Sequence, residues 1–77
     1  MRSPDLTKQQ LQIVMHLANG NTLHEIAVLM SCSDSNVARH LGAARRKTNA
    51  RTLPQLVSVV IADGKLEWTP DGRIVTS

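Results

Sequence analysis

Four times along this chain a threonine or serine stands just before a run whose apolar residues recur every three or four positions. That pattern dictates short amphipathic helices joined by tight turns. Thr7-Lys8-Gln9-Gln10 has the form of a capping box, in which a hydroxyl and a glutamine satisfy each other's backbone N–H groups. Behind it Leu11, Val14, Met15 and Ala18 trace one stripe, widened by Ile13 and Leu17. A helix over about Lys8 to Ala18 is predicted, closed by Asn19-Gly20-Asn21, since Gly and Asn tolerate the left-handed conformation that ends helices. Thr22-Leu23-His24-Glu25 opens a second, shorter helix carried by Leu23, Ile26, Ala27 and Met30. Ser31-Cys32-Ser33 interrupts the pattern, and Ser33 is placed to cap a third helix whose buried side is Val37, Leu41 and Ala44. The product is a tight helix-turn-helix. Ala27 and Val37 sit where such a motif needs a small residue between its helices and a branched one in their shared core. Ser31 stands where many such motifs carry glycine.

A fourth helix opens at Thr52-Leu53-Pro54-Gln55, with Thr52 as cap, Pro54 in the tolerated first turn and Gln55 placed to reach back. Asp63-Gly64 closes it. Leu53, Leu56, Val57, Val59, Val60 and Ile61 cover more of its circumference than one core contact requires, which implies a second apolar contact. Beyond Gly64 the pattern changes to alternation, Leu66 and Trp68, then Thr69-Pro70-Asp71-Gly72, then Arg73-Ile74-Val75. This predicts a short β-hairpin closed by a type I turn with glycine in the following left-handed position. An isolated hairpin needs Trp68 and Ile74 to pack on something. The expected architecture is therefore all-α, with residues 1–64 as the helix-turn-helix and dimerisation domain and 65–77 as a C-terminal hairpin extension.

Seventy-seven residues make one domain, and the near absence of aromatic residues, 1% of the chain, leaves Leu, Ile, Val, Met and Ala to build its core. Trp68 is the only large ring, which argues against the stacking platforms that bind single strands. No apolar run reaches spanning length and the N-terminus lacks the apolar stretch of a secretion signal, so a cytoplasmic protein without membrane contact is expected. Cys32 is the single cysteine. With three scattered histidines it offers no metal-ligand spacing, and it reads as a small half-buried residue. Paired carboxylates, a glycine-rich phosphate loop and an activated nucleophile are all missing, which argues against an enzyme. No cofactor and no small-molecule ligand are implied.

The net charge of +3 is modest, but its distribution is not. Arg39, Arg45, Arg46, Lys47 and Arg51 are five of the nine basic side chains, and no acid occurs between Asp34 and Asp63. On clustering alone this reads equally as a solvated face or as a field suited to a polyanion. A helical wheel at about 100° per residue separates the buried side of the third helix from an outer side of Ser35, Ala38, Arg39, Gly42, Arg46 and Asn49, with Asn36, His40 and Lys47 on one flank. An outer surface of small residues with one central arginine and a basic C-terminal end is shaped for a major groove, because bulky groups would hold the backbone away from base edges. Gly42 costs a helix interior roughly 1 kcal/mol relative to alanine. It marks either close approach by another surface or a glycine that is merely tolerated. Arg39 reads as a base contact or a phosphate contact, Arg51 as a phosphate contact or an exposed capping charge, and His40 as a backbone contact or a packing residue. His16 and His24 read as ordinary surface positions.

From about Leu6 to Gly64 the sequence resembles the DNA-binding domain of the LuxR, or GerE-like, bacterial regulators. The matching residues are Leu6-Thr7, Ala18-Asn19-Gly20-Asn21-Thr22, Glu25-Ile26-Ala27, Leu29, Ser33, Val37, His40, Lys47 and Val57, in register without gaps. The resemblance implies a four-helix domain whose second and third helices read DNA and whose fourth dimerises. It implies that Lys47, with Thr22 and Asn36, contacts phosphates, and that Ala38, Arg39 and Gly42 face bases. The family usually carries Thr at Asn36, a larger aliphatic at Ala44, Leu at Thr48 and Arg at Leu53. A lighter junction between the third and fourth helices is expected, with Trp68 and Leu66 of the hairpin supplying apolar cover. The chain is similar to single-domain members, without a sensing domain.

The expected function is a sequence-specific regulator that binds double-stranded DNA as a homodimer on an inverted repeat, an autorepressor by reason of its size. Its DNA-binding residues are Thr22, Ser35, Asn36, Ala38, Arg39, His40, Gly42, Arg45, Arg46 and Lys47. Its joint is formed by Leu53, Leu56, Val59, Val60 and Asp63. Two rivals stand beside it. One is an antagonist that traps a larger LuxR-type regulator in mixed dimers, and the other is a sigma-like promoter-recognition module acting as a monomer.

Overall fold

Every helix begins where a side-chain oxygen satisfies a backbone N–H that the helix itself leaves unpaired. The computed structural model of the chain describes residues 6–77, in the order α1 (Lys8–Ala18), α2 (Leu23–Met30), α3 (Asp34–Thr48), α4 (Leu53–Ala62), β1 (Leu66–Trp68) and β2 (Ile74–Thr76). Thr7 Oγ1 accepts from Gln10 N–H at 3.1 Å while Gln10 Oε1 accepts from Thr7 N–H at 3.0 Å. Thr22 and Glu25 repeat the exchange at 3.2 and 2.7 Å, and the Thr22 N–H, then its hydroxyl, hold the Glu25 carboxyl below its ordinary value. Ser33 Oγ caps α3 through Asn36 N–H at 3.1 Å. At α4 the cap is single: Thr52 Oγ1 accepts from Gln55 N–H at 3.2 Å, but Gln55 Oε1 reaches one residue farther back, to Arg51 N–H at 2.7 Å.

Between α2 and α3 the chain turns on Ser31, whose φ of 56° and ψ of 45° place it in the left-handed region. That is the conformation glycine adopts without penalty, which explains why a glycine suits this position. At the end of α1 the left-handed residue is Gly20, with φ of 93°, whereas Asn19 stays at φ −81°. Asn19 has a different task. Its Nδ2 donates to Ile74 C=O at 2.7 Å and its Oδ1 accepts from Ile74 N–H at 2.8 Å, so one amide pairs with both backbone groups of Ile74, which face away from β1.

α1 packs on α2, α3, α4 and β2, which makes it the central element. The core comprises Ile13 and Val14 from α1, Ile26 and Ala27 from α2, Val37, Leu41 and Ala44 from α3, Leu56 and Val60 from α4, with Ala50, Leu66 and Ile74. The predicted buried side of α3 is the observed one. In α1 the deepest stripe is Gln10, Ile13 and Val14, with Leu11, Met15 and Ala18 only half-buried. The predicted stripe was therefore one position out. The apolar arc of α1 is wide enough to meet several neighbours, and the inward position at residue 10 is filled by a glutamine that apolar periodicity cannot register.

The hairpin forms as expected: Leu66 pairs with Thr76, Glu67 with Val75 and Trp68 with Ile74 in antiparallel register. Gly72 N–H donates to Thr69 C=O at 3.0 Å and Gly72 has φ of 83°, the predicted turn with its left-handed glycine. Its packing differs from expectation. Leu66 and Ile74 are 2% and 3% exposed, whereas Trp68 is 64% exposed. β1 lies on α4 and β2 on α1, so the hairpin covers the α1–α4 side rather than the junction of α3 with α4. Trp68 lies two residues, about 7 Å, farther along β1 than Leu66 and stays open to solvent, although Ile74, its partner on the strand that packs against α1, is buried. The apolar surplus of α4 is largely used within the chain: Leu56 and Val60 are buried, and Leu53, Val57 and Ile61 pack partly against the same core.

Replacing Asn19 with alanine leaves both Ile74 backbone groups without a partner. Unfolding free energy is expected to fall by about 1–3 kcal/mol, with lost hydrogen-exchange protection at the Ile74 amide. Full protection in the variant would contradict the pairing. Ser31→Gly, by removing left-handed strain, is expected to raise stability by about 1 kcal/mol in denaturant unfolding.

Candidate nucleic-acid interface

Burying Val37, Leu41 and Ala44 fixes the rotation of α3 about its axis. With 3.6 residues per turn, the residues opposite must face outward. Ser35, Ala38, Arg39 and Arg46 are exposed, Gly42 is half-buried between them, and Asn36, His40 and Lys47 are half-buried along the flank. Asn49 is not part of the helical surface. It is the C-cap, left-handed at φ 59°, and it turns the chain toward α4.

Two concavities, each about 450 Å³, lie on this side, one polar and lined by Ser33, Ser35, Asn36 and Arg39, the other lined by residues at the α3–α4 corner. In the first, Arg39 Nη2 donates to Asn36 Oδ1 across one helical turn. The bond holds the guanidinium on the outer face and leaves the Asn36 Nδ2 donors free to meet another acceptor. Ser33 and Ser35 hydroxyls lie 3.2 Å apart beside them. Gly42 has no internal reason to be glycine: a Cβ there would meet only Arg46 Nη1, at an ordinary 3.6 Å.

The basic residues divide into two groups that the sequence does not distinguish. Arg39 and Arg46 are exposed on the outer face. Lys47 and Arg45 are tied into the fold. Lys47 Nζ donates to Gln10 Oε1 at 3.0 Å, the same oxygen that accepts from Thr7 N–H, so the last turn of α3 is fastened to the start of α1. Gln10 is only 6% exposed, a buried polar group made tolerable by these partners. Arg45 Nη2 donates to Arg51 C=O at 2.6 Å. With Gln55 on the Arg51 N–H, both backbone groups of that corner residue are held. Thr48, where a larger apolar side chain would suit the corner, turns its hydroxyl onto Ala44 C=O at 2.9 Å. The junction is closed by polar bonds. Among the described residues none of these cations has a carboxylate partner; Asp34 instead meets His24 Nδ1 at 3.0 Å. Thr22 is engaged as the α2 cap and lines neither concavity.

Of the positions expected at a subunit joint, Leu56 and Val60 require correction. They are 0% and 2% exposed within the chain's own core and so cannot also face a partner. Leu53, Val59 and Asp63 are half-buried. An apolar groove of about 330 Å³ runs past Leu53, lined also by Leu17, Ala18, Pro54 and Val57. Sequence reasoning passed over Gln10 and Asn19 because a lone amide announces nothing until the element it bonds is in place. The one available signal was Gln10's place in the capping box.

A short helix and a longer one joined through a small-residue turn, the second with a bare and basic outer face, define a helix-turn-helix DNA-binding domain with two supporting helices. The sequence matches the family model of the bacterial regulatory proteins of the luxR family, GerE, over residues 4–60. The chain belongs to this family, and its class of function is DNA-binding transcription regulation. No curated protein matches the sequence. The matched span covers α1 to α3 and most of α4 and leaves the hairpin outside. The family is one of regulators rather than enzymes, and no described helix is long and apolar enough to cross a membrane.

Because Arg45 fastens the corner while Arg46 faces solvent, their alanine variants separate structure from charge. Arg45→Ala is expected to lower stability by about 1–3 kcal/mol, and Arg46→Ala to change it by less than about 0.5 kcal/mol. Equal thermal shifts in the two variants would show that the Arg45 bond contributes nothing.

Proposed function

We propose that the protein binds duplex DNA as a homodimer, with α3 of each copy in successive major grooves of an inverted-repeat site. The observation that carries this reading is the outer face of α3, which combines exposure, small residues and arginine with a complete lack of acids. Ala38 and Gly42 let the helix backbone approach base edges, and Ser35 lies beside them. Arg39 reads guanine through paired bonds to O6 and N7. Asn36, bonded to Arg39, serves as the positioning residue for that guanidinium and offers its own amide N–H groups to a neighbouring acceptor. Lys47, Arg46 and Arg45 act on phosphates chiefly through charge, with Thr22 and His40 at the margins of the contact. The neutral acceptor on Lys47 leaves its positive charge uncancelled.

The dimer joint falls on the outward side of α4, with Val59 beside the exposed Gln55, Ser58 and Ala62 and Asp63 at the rim, while Leu53 contributes from the flank it shares with Val57. Leu56 and Val60 support the joint from beneath by setting the rotation of the helix. Residues 1–64 carry reading and dimerisation. Residues 65–77 belong to the same folding unit, since Leu66 and Ile74 are in its core and Asn19 binds β2.

Selection of bound fragments from random duplex DNA supplies the specific site and reports any twofold symmetry in it. On that site Arg39→Ala is expected to weaken binding by about 5- to 150-fold, the equivalent of roughly 1–3 kcal/mol, while affinity for random duplex changes little. Equal losses on both duplexes would assign Arg39 to phosphate instead. Light scattering after size exclusion tests the joint: a monomer at high concentration, alone and on DNA, would defeat the homodimer.

A further inference from the structure

The corner where α3 gives way to α4 holds a second, more strongly charged feature than the reading face. Left-handed Asn49 reverses the chain, Ala50 N–H bonds to Arg45 C=O at 3.0 Å, and Arg51 is thereby brought back beside the last turn of α3. The concavity so formed, about 450 Å³, is lined by Gly42, Arg45, Arg46, Asn49, Ala50 and Arg51. Three arginines therefore contribute to its lining, none with a carboxylate partner among the described residues. One of them, Arg45, has an Nε–H shielded from water with no acceptor from the protein.

Helix polarity explains part of this, because cations are favoured at the C-terminal turn of a helix. It does not extend to Arg51, which lies beyond the helix, nor does it account for three like charges around one depression. Like charges held together in this way are relieved by an anion. The planar fork of a guanidinium matches the oxygens of phosphate in particular. Gly42 and Ala50 keep the walls low, and the Arg46 guanidinium lies along the helix over Gly42.

We propose that this cleft binds one phosphate group between Arg46 and Arg51, with Arg45 as its fixed wall, at a place that adjoins the base-reading surface at Gly42 and lies away from Arg39. The phosphate comes either from the DNA backbone or from a small free phosphate compound. The first source rests on the docking of α3 argued above, and the second does not. By sequence alone Arg51 suits a phosphate contact and an exposed capping charge equally, and the cleft assigns it to the contact.

Arg51→Ala tests the site without dismantling the corner, since Arg45 and Gln55 hold only the backbone of Arg51. Binding to one fixed duplex is measured across a salt series for the native chain, Arg51→Ala and Arg51→Lys. Pyrophosphate is titrated at constant ionic strength while the arginine Nε–H resonances are followed by NMR. If the phosphate belongs to DNA, the slope of log affinity against log salt becomes shallower by about 0.9 in Arg51→Ala and recovers in Arg51→Lys. If it belongs to a small compound, pyrophosphate gives saturable shifts at Arg46 and Arg51 that vanish in Arg51→Ala. An unchanged slope together with no saturable shift overturns the proposal. A native chain that binds no duplex at all would remove the DNA reading, and the pyrophosphate titration would still decide the cleft.

Discussion

The rotation of α3 about its own axis is the constraint on which everything else in this molecule depends. Val37, Leu41 and Ala44 lie in the core shared by all four helices, so the helix cannot turn without exposing them. Burying three aliphatic side chains is worth several kcal/mol at about 25 cal/mol per Å² of apolar surface removed from water, far more than any single exposed contact could offset. Because the side chains of a helix are set by a fixed period, holding one side inward also decides which residues face out. The position of Arg39 on the outer surface is thus a consequence of core packing.

Polar bonds complete what the aliphatic core begins. The two ends of α3 are treated differently. Its N-terminus relies on Ser33 and lies open beside Asn36 and Arg39, while its C-terminal turn is fastened on two sides, by Lys47 to α1 and by Arg45 to the corner before α4. A core built almost without aromatic residues has little bulk with which to wedge helices apart at set angles. Amide and guanidinium groups bonding across elements supply that definition here. The cost of removing Gln10 from water is offset because its carbonyl oxygen serves both Thr7 and Lys47. The hairpin is integrated by the same means, with Asn19 acting on Ile74 as a neighbouring strand would.

Much of this was legible in the chain. The hydroxyl caps at Thr7, Thr22, Ser33 and Thr52 and the stripes behind them fall where the helices begin and bury their faces, because both signals are local. The turn at Thr69 to Gly72 is legible for the same reason. Trp68 misled because large apolar residues are usually buried, and nothing within three residues of it reveals that the helices leave it open. Leu56 and Val60 misled differently. Their apolar character says that they are buried but not against what, and a surplus on one helix can be consumed by a hairpin as readily as by a second subunit. For the site, the outer face of α3 was readable from its period alone. The separation of its cations into exposed and fastened ones was not.

What the sequence alone determined is therefore whatever depends on neighbours a few positions apart: four capped helices, a hairpin turn, and a third helix with one apolar side and one basic side. Tertiary structure decided which amides and guanidinium groups would be partnered. Gln10 meets Lys47 and Asn19 meets Ile74 across separations of 37 and 55 residues, and Arg45 reaches Arg51 only because Asn49 turns the chain back. The physical reason is range. Helix periodicity and capping act within one or two turns, whereas a hydrogen bond between distant elements exists only after the core has brought them within about 3 Å of each other.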